Sequence, residues 1–126
     1  MQNSNLAYKW FLRFAFEEDV KLKDIKNTIL AIDLGINTDA TCCVMSSDGT
    51  ILARKFINFA SDKDQINHTI NKIKGISQKY GSYNTTKLWR VAKFMNEELA
   101  RKIAKATADY AIEQNVDVIV FEHLDM

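Results

Sequence analysis

Two carboxylates in this sequence each follow an apolar segment. Asp33 comes directly after residues 29–32, and Glu122 comes directly after residues 118–121. Burying an unpaired carboxylate is costly, so each needs a cation, backbone N–H groups or water as a compensating partner. If the two segments are neighbouring strands, a divalent cation relieves the repulsion between the carboxylates. Oxygen ligands of this kind suit Mg²⁺ or Mn²⁺, and two such ions about 4 Å apart support attack of water on a phosphodiester.

Three strands are predicted around Asp33. Residues 28–33 are apolar on both faces of a strand, as in the centre of an α/β sheet. Residues 40–45 and 50–57 follow as the second and third strands, and the Asp48-Gly49 pair between them favours a tight hairpin. This pattern predicts a three-stranded antiparallel meander.

Two helices are predicted after the meander. The first has apolar residues at steps of three and four, with Ser61 as a possible N-cap and Gly81 as its end. The second runs from about 86 to about 114 and ends near Asn115, which makes it more than about 40 Å long. Its apolar stripe consists of Leu88, Val91, Ala92, Met95, Leu99, Ile103, Ala106 and Tyr110.

Residues 116–121 are predicted to form a fourth strand, apolar on both faces like the first. A strand that follows a long crossover helix runs parallel to the strand it pairs with, and such crossovers are right-handed. We therefore expect the fourth strand beside the first, with Asp33 and Glu122 adjacent. The predicted fold class is α/β, with a mixed sheet of three antiparallel strands and a parallel fourth strand.

These segments resemble a known nuclease family. ILAIDLGINTDATCCVMSSDGTIL resembles the first catalytic motif of RuvC-like domains of the RNase H fold, and VDVIVFEHLD resembles the second. KLWRVAKFMNEELARKIAKATADYA resembles the helix between these motifs in the TnpB/OrfB proteins of insertion sequences, relatives of type V CRISPR effectors. The resemblance implies that Asp33 and Glu122 are the first and second catalytic ligands of Mg²⁺ or Mn²⁺. It also implies an RNA-guided DNA endonuclease that takes part in transposition, with DNA and guide RNA as partners, in a bacterial or archaeal cytoplasm.

The resemblance also divides the chain. Residues 8–16 alternate in polarity and predict a strand with an aromatic face, similar to the last strand of the barrel (wedge) domain that precedes RuvC in this family. We therefore assign residues 1–27 to the end of that barrel and its linker, and residues 28–126 to the N-terminal part of a RuvC-like domain.

Basic residues on the long helix are candidates for phosphate contacts. Residues 62–105 contain ten Lys or Arg against four Asp or Glu, whereas residues 106–126 contain five acidic residues and no Lys or Arg. The candidates are Lys87, Arg90, Lys93, Arg101, Lys102 and Lys105. The alternative for these residues is a solvated helix face. Near Glu122, we expect Asp125 to cap the next element and His123 to point away from the carboxylate.

Several features depart from the family pattern. The family has a third acidic ligand and a four-cysteine zinc ribbon, whereas this sequence has two adjacent cysteines, Cys42 and Cys43, and no zinc ligand set. It also lacks a signal peptide and a membrane-spanning run. We expect an incomplete RuvC domain that does not cleave DNA by itself. Cleavage in Mn²⁺ that Asp33→Ala abolishes would contradict this expectation.

Two other interpretations remain open. Residues 33–38 also fit DxGxxT, which resembles the phosphate-binding hairpin of actin-like ATPases and sugar kinases, where the Asp acts on Mg²⁺–ATP. Against this, the chain has only four glycines and no second phosphate motif. The remaining interpretation is a non-catalytic chain that binds nucleic acid or self-associates through exposed strands.

Overall fold

The described residues form a four-stranded sheet and two helices. The computed structural model describes residues 12–19, 27–81 and 85–122. In chain order the elements are β1 (Thr28–Leu34), β2 (Ala40–Ser46), β3 (Ile51–Ile57), α1 (Ala60–Tyr80), α2 (Thr86–Glu113) and β4 (Val118–Phe121). The sheet order is β3-β2-β1-β4, in which β4 is parallel to β1 and the other pairs are antiparallel. The predicted α/β class, the meander and the parallel fourth strand are confirmed.

One face of the sheet packs against the C-terminal half of α2. Leu30 and Ile32 on β1 and Cys42 and Val44 on β2 are buried at every second position. They form one core cluster with residues that include Tyr110 of α2. The period of two therefore gives β1 and β2 one fully buried face.

The part of α2 up to Lys102 packs against α1 instead. Asp62 pairs with Lys102, and the Thr69 hydroxyl lies 3.8 Å from the Met95 sulfur, so the two helices are antiparallel. Ile66 and Ile73 of α1 and Ala92 and Leu99 of α2 are the buried residues of these segments. At about 1.5 Å per residue, α2 is roughly 42 Å long, enough to contact both α1 and the sheet.

The end of α2 follows from its sequence. Asn115 has a positive φ of 52°, its N–H donates to the Ile112 carbonyl, and the Val116 N–H donates to the Ala111 carbonyl. These two bonds form a Schellman motif, for which Asn is suited because it tolerates the left-handed region. The predicted stop at Asn115 is confirmed. Because Val116 belongs to this motif, β4 starts at Val118 rather than at the predicted residue 116.

Some local predictions are wrong. Ser61 does not cap α1, because the helix begins at Ala60 and its flanking residue is Phe59, with no side-chain cap. Val91, assigned to the apolar stripe of the second helix, is exposed. In the predicted strand 8–16, residues 12–16 belong to no strand and are exposed, and residues 8–11 lie outside the described residues. None of the described helices is long and apolar enough to cross a membrane.

Candidate metal centre

The parallel pairing of β1 and β4 brings Asp33 and Glu122 to the same level of the sheet. Ile32 is the register partner of Phe121, so the next residue in each strand direction is a carboxylate. Neighbouring strands lie about 4.8 Å apart. Glu122 also borders a small depression together with Ile32 and Leu34, beside the end of β1. The predicted adjacency of the two acidic positions is therefore present in the backbone.

Asp33 lies on the sheet face away from α2. Leu30 and Ile32 face the helix, and the alternation of β1 turns Asp33 to the other side, where it is exposed. Its antiparallel partner on β2 is Thr41. Glu122 is exposed as well, and neither carboxylate forms an ion pair within the described residues. Both carboxylates are thus accessible to water and to a cation.

Three hydrogen bonds between Thr28 and Asp117, at the N-terminal ends of β1 and β4, support this register. The N–H and the hydroxyl of Thr28 both donate to Asp117 Oδ2 at 2.9 Å, and the Asp117 N–H donates to the Thr28 carbonyl at 3.0 Å. Thr28 stands five residues before Asp33, as Asp117 does before Glu122. The Thr28–Asp117 pair therefore holds the strands in the alignment that makes the two carboxylates level.

The loop after Asp33 is held by an ion pair between the buried Asp39 and the partly buried Lys63. Only 5% of the Asp39 side chain is exposed; Oδ2 accepts the Phe59 N–H at 2.5 Å, and Oδ1 lies 3.1 Å from Lys63 Nζ. Lys63 Nζ also donates to the carbonyl oxygens of Asn37, at 2.9 Å, and Ile36, at 3.4 Å. All three ammonium donors thus have an acceptor, which suits a lysine whose side chain is partly buried.

Few other groups in this region could bind a metal. The described residues contain no group of three or more His, Cys, Asp or Glu side chains that could hold an ion. Cys42 lies in the core, and burial raises the pKa of its thiol, an effect that nearby Lys55 partly offsets. His123 and Asp125, for which roles were predicted, lie outside the described residues. Asp33 and Glu122 therefore remain the two candidate ligands.

The predicted phosphate-binding cations fall into two groups. Arg101 pairs with Glu98, and with Glu97 at 4.0 Å; Lys105 pairs with Asp109 at 2.7 Å; and Lys102 pairs with Asp62. Lys87, Arg90 and Lys93 form no ion pair within the described residues and are exposed. The first half of α2 therefore carries the positive charge that is not neutralised locally.

Exposed aromatic side chains lie among the cations on the first half of α2. They were not predicted from the sequence. Trp89 is 53% exposed and Phe94 is 60% exposed. On a helix, Trp89 neighbours Lys93 and Arg90 neighbours Phe94, because residues four apart lie on one face. The absence of acidic residues between 85 and 96 is the sequence signal that marks this surface.

Sequence reasoning also missed Asp39, Lys63 and Asp117. Asp39 stands in a polar turn and Lys63 in the first turn of a helix, where both residue types are common at the surface. Only the fold brings them together. No family model and no curated protein matches this chain.

Proposed function

We propose that Asp33 and Glu122 are two ligands of a divalent-cation site in a metal-dependent nuclease domain of the RNase H-like, RuvC type. The parallel register that makes Ile32 the partner of Phe121, and so aligns the two carboxylates, carries this proposal. The order of strands and helices, with a parallel β4 next to β1, is compatible with a part of that fold. The TnpB/OrfB type is the family that the sequence motifs favour.

The chemistry of the two side chains fits Mg²⁺ or Mn²⁺. Mg²⁺ is commonly bound by one or two carboxylates and keeps several water or phosphate ligands. Asp33 and Glu122 offer carboxylate oxygens that no Lys or Arg of the described residues neutralises. A bound ion would stabilise negative charge on a phosphodiester and lower the pKa of a water ligand. The two carboxylates would hold the ion on the open face of the sheet, where the phosphodiester backbone of a nucleic acid could reach it.

Titration of Mn²⁺ by calorimetry tests the site. We expect Asp33→Asn and Glu122→Gln each to weaken binding by more than about tenfold, because each removes one charged ligand. Glu97→Gln is the matched control, since it removes a carboxylate on α2 that is outside the site. Equal affinities for the wild type and both site variants would refute the proposal.

Binding of a nucleic acid is the second part of the proposal. The cations Lys87, Arg90 and Lys93 and the exposed rings of Trp89 and Phe94 support contact with phosphates and with unpaired bases. We expect a steep fall of affinity with salt, and replacement of Lys93 by Gln should reduce the slope of log K against log salt by about 1. Lys105→Gln should have a smaller effect because Lys105 already pairs with Asp109.

An ATP-binding hairpin is a second candidate. The loop 35–39 joins two antiparallel strands, and it is tight at Gly35, where an added Cβ would lie 2.9 Å from the Thr38 carbonyl oxygen. Such a hairpin is compatible with phosphate contacts through backbone amides. Thermal stabilisation by Mg²⁺–ATP, with no effect of nucleic acid, would favour this candidate over the nuclease.

A further inference from the structure

The ion pair between Asp39 and Lys63 connects helix α1 to the loop that follows Asp33. Lys63 lies in the first turns of α1, and its three acceptors, Asp39 Oδ1 and the carbonyl oxygens of Ile36 and Asn37, all belong to the loop 35–39. On the other carboxylate oxygen, Asp39 accepts the N–H of Phe59, which precedes α1. The start of α1 therefore holds the loop at several points.

Packing constrains this loop at both of its ends. Its last residue, Asp39, is 6% exposed and adjoins the fully buried Ala40 of β2. At its start, Gly35 approaches the Thr38 carbonyl so closely that an added Cβ would lie 2.9 Å from that oxygen. Asp33 stands two residues before Gly35, and Leu34 is the last residue of β1. Only Leu34 therefore separates the start of the loop from Asp33, so the backbone couples the position of the loop to that of Asp33.

We infer that Lys63 is a positioning residue of the metal centre: by holding the loop 35–39 through Asp39, Ile36 and Asn37, it fixes the end of β1 and the orientation of the Asp33 carboxylate. This inference rests on the proposed metal site. A ligand that is not pre-oriented must lose conformational freedom when the metal binds. Replacement of residues that orient the ligands without binding the metal commonly lowers metal affinity by about 10- to 100-fold. Lys63 acts through the backbone rather than on Asp33 itself, so an effect near tenfold is expected.

The Asp39–Lys63 pair differs from a surface pair because its carboxylate is buried. Removal of Lys63 leaves the buried Asp39 carboxylate with the Phe59 N–H but without its cation, which is destabilising. Lys63→Met is therefore expected to loosen the loop and to lower thermal stability, and Lys63→Arg should restore part of both because it keeps the charge. Lys102→Met provides the matched control: it breaks the exposed Lys102–Asp62 pair, which also involves the first turn of α1 but does not touch the loop.

The experiment combines two measurements on the full chain. Electron paramagnetic resonance of free Mn²⁺ gives the affinity, and amide hydrogen exchange of residues 34–40 gives the order of the loop, both well below the melting temperature of each variant. We expect Lys63→Met to weaken Mn²⁺ binding about tenfold and to speed exchange in the loop. Lys63→Arg should recover affinity to within about threefold of the wild type, and Lys102→Met should match the wild type in both measurements.

The possible failures are distinguishable. If Lys63→Met leaves both the affinity and the loop exchange unchanged while Asp33→Asn abolishes binding, the role of Lys63 is refuted and the metal site stands. If Lys63→Met loosens the loop but leaves the Mn²⁺ affinity unchanged, the ion pair is structural only and the inference is again wrong. If Asp33→Asn binds Mn²⁺ like the wild type, the metal site itself is refuted, and the inference falls with it.

Discussion

The hydrogen bonds between Thr28 and Asp117 should control both the stability of the sheet and the alignment of the candidate site. Asp117→Ala removes the acceptor of two bonds, from the N–H and the hydroxyl of Thr28, each 2.9 Å long and partly buried. A hydrogen bond to a charged group contributes about 1.5–3 kcal/mol, but water can replace part of it at a strand end. We therefore expect a loss of about 2–3 kcal/mol in the free energy of unfolding.

The loss should be visible in thermal unfolding. For a chain of this size, 1 kcal/mol corresponds to roughly 4 °C in the melting temperature, so Asp117→Ala should melt about 8–12 °C lower. Asp117→Asn keeps one oxygen acceptor and should lose about half as much. Thr28→Val removes only the hydroxyl bond and should cost about 1 kcal/mol. A double-mutant cycle between Thr28→Val and Asp117→Ala isolates the coupling of the two side chains.

The same variants test the alignment of the two strands. If the pair sets the register of β1 and β4, Asp117→Ala should also speed amide exchange in β4 and weaken Mn²⁺ binding at the proposed site of Asp33 and Glu122. Thr69→Val, which removes a weak contact between the helices, is the control that leaves β4 untouched. A melting temperature within 1 °C of the wild type, with unchanged exchange in β4, would refute this role of Asp117.

Three further predictions concern other parts of the chain. Cys42 is fully buried, and burial raises the pKa of its thiol. In the native state a disulfide reagent should therefore modify Cys43 alone, and Cys42 should react only on denaturation. Immediate reaction of both thiols would contradict the packing. Hydrogen bonds from Ser46 and Thr50 lower the pKa of Asp48, so its contribution is present above its ordinary pKa and is lost as the pH falls through the lowered value. Asp48→Ala should therefore melt lower at neutral pH and lose less stability than the wild type between about pH 5 and pH 3, and parallel losses would argue against it. All four residues of the edge strand β4 are exposed and apolar, so we expect light scattering to detect self-association of the chain. Val120→Lys should reduce this self-association, whereas the control Val91→Lys on α2 should leave it unchanged. A monomer at high concentration would refute the prediction.

The sequence predicted the elements better than the contacts between them. The period of two in β1 and β2 and the steps of three and four in α2 reflect burial directly, so their positions follow from residue types. The rule for crossover connections then placed β4 beside β1, and with it Glu122 beside Asp33. Ser61 was a plausible cap, but the chain reaches α1 through Phe59, whose N–H already has Asp39 as its acceptor.

What escaped prediction depends on long-range pairs of ordinary polar residues. Asp39 and Lys63 lie 24 positions apart, and Thr28 and Asp117 lie 89 positions apart, with no local pattern to mark them. Their energies come from burial, which residue type alone does not reveal. The candidate cations differ in this respect, because acidic residues three or four positions away from Arg101 and Lys105, and absent around Lys87 and Arg90, are a local signal.

The separation between β1 and β4 has a kinetic consequence. Joining Thr28 to Asp117 closes a segment of 89 residues, for which the length-dependent part of the loop-closure cost is about 4 kcal/mol. Hairpin contacts among β1, β2 and β3 close much shorter segments and should form earlier in refolding. Association of β4 with β1 should therefore be a late event, and Asp33 and Glu122 meet only when it occurs. If the proposed site binds Mn²⁺, its affinity should appear at the end of refolding and lag behind the recovery of helical circular dichroism.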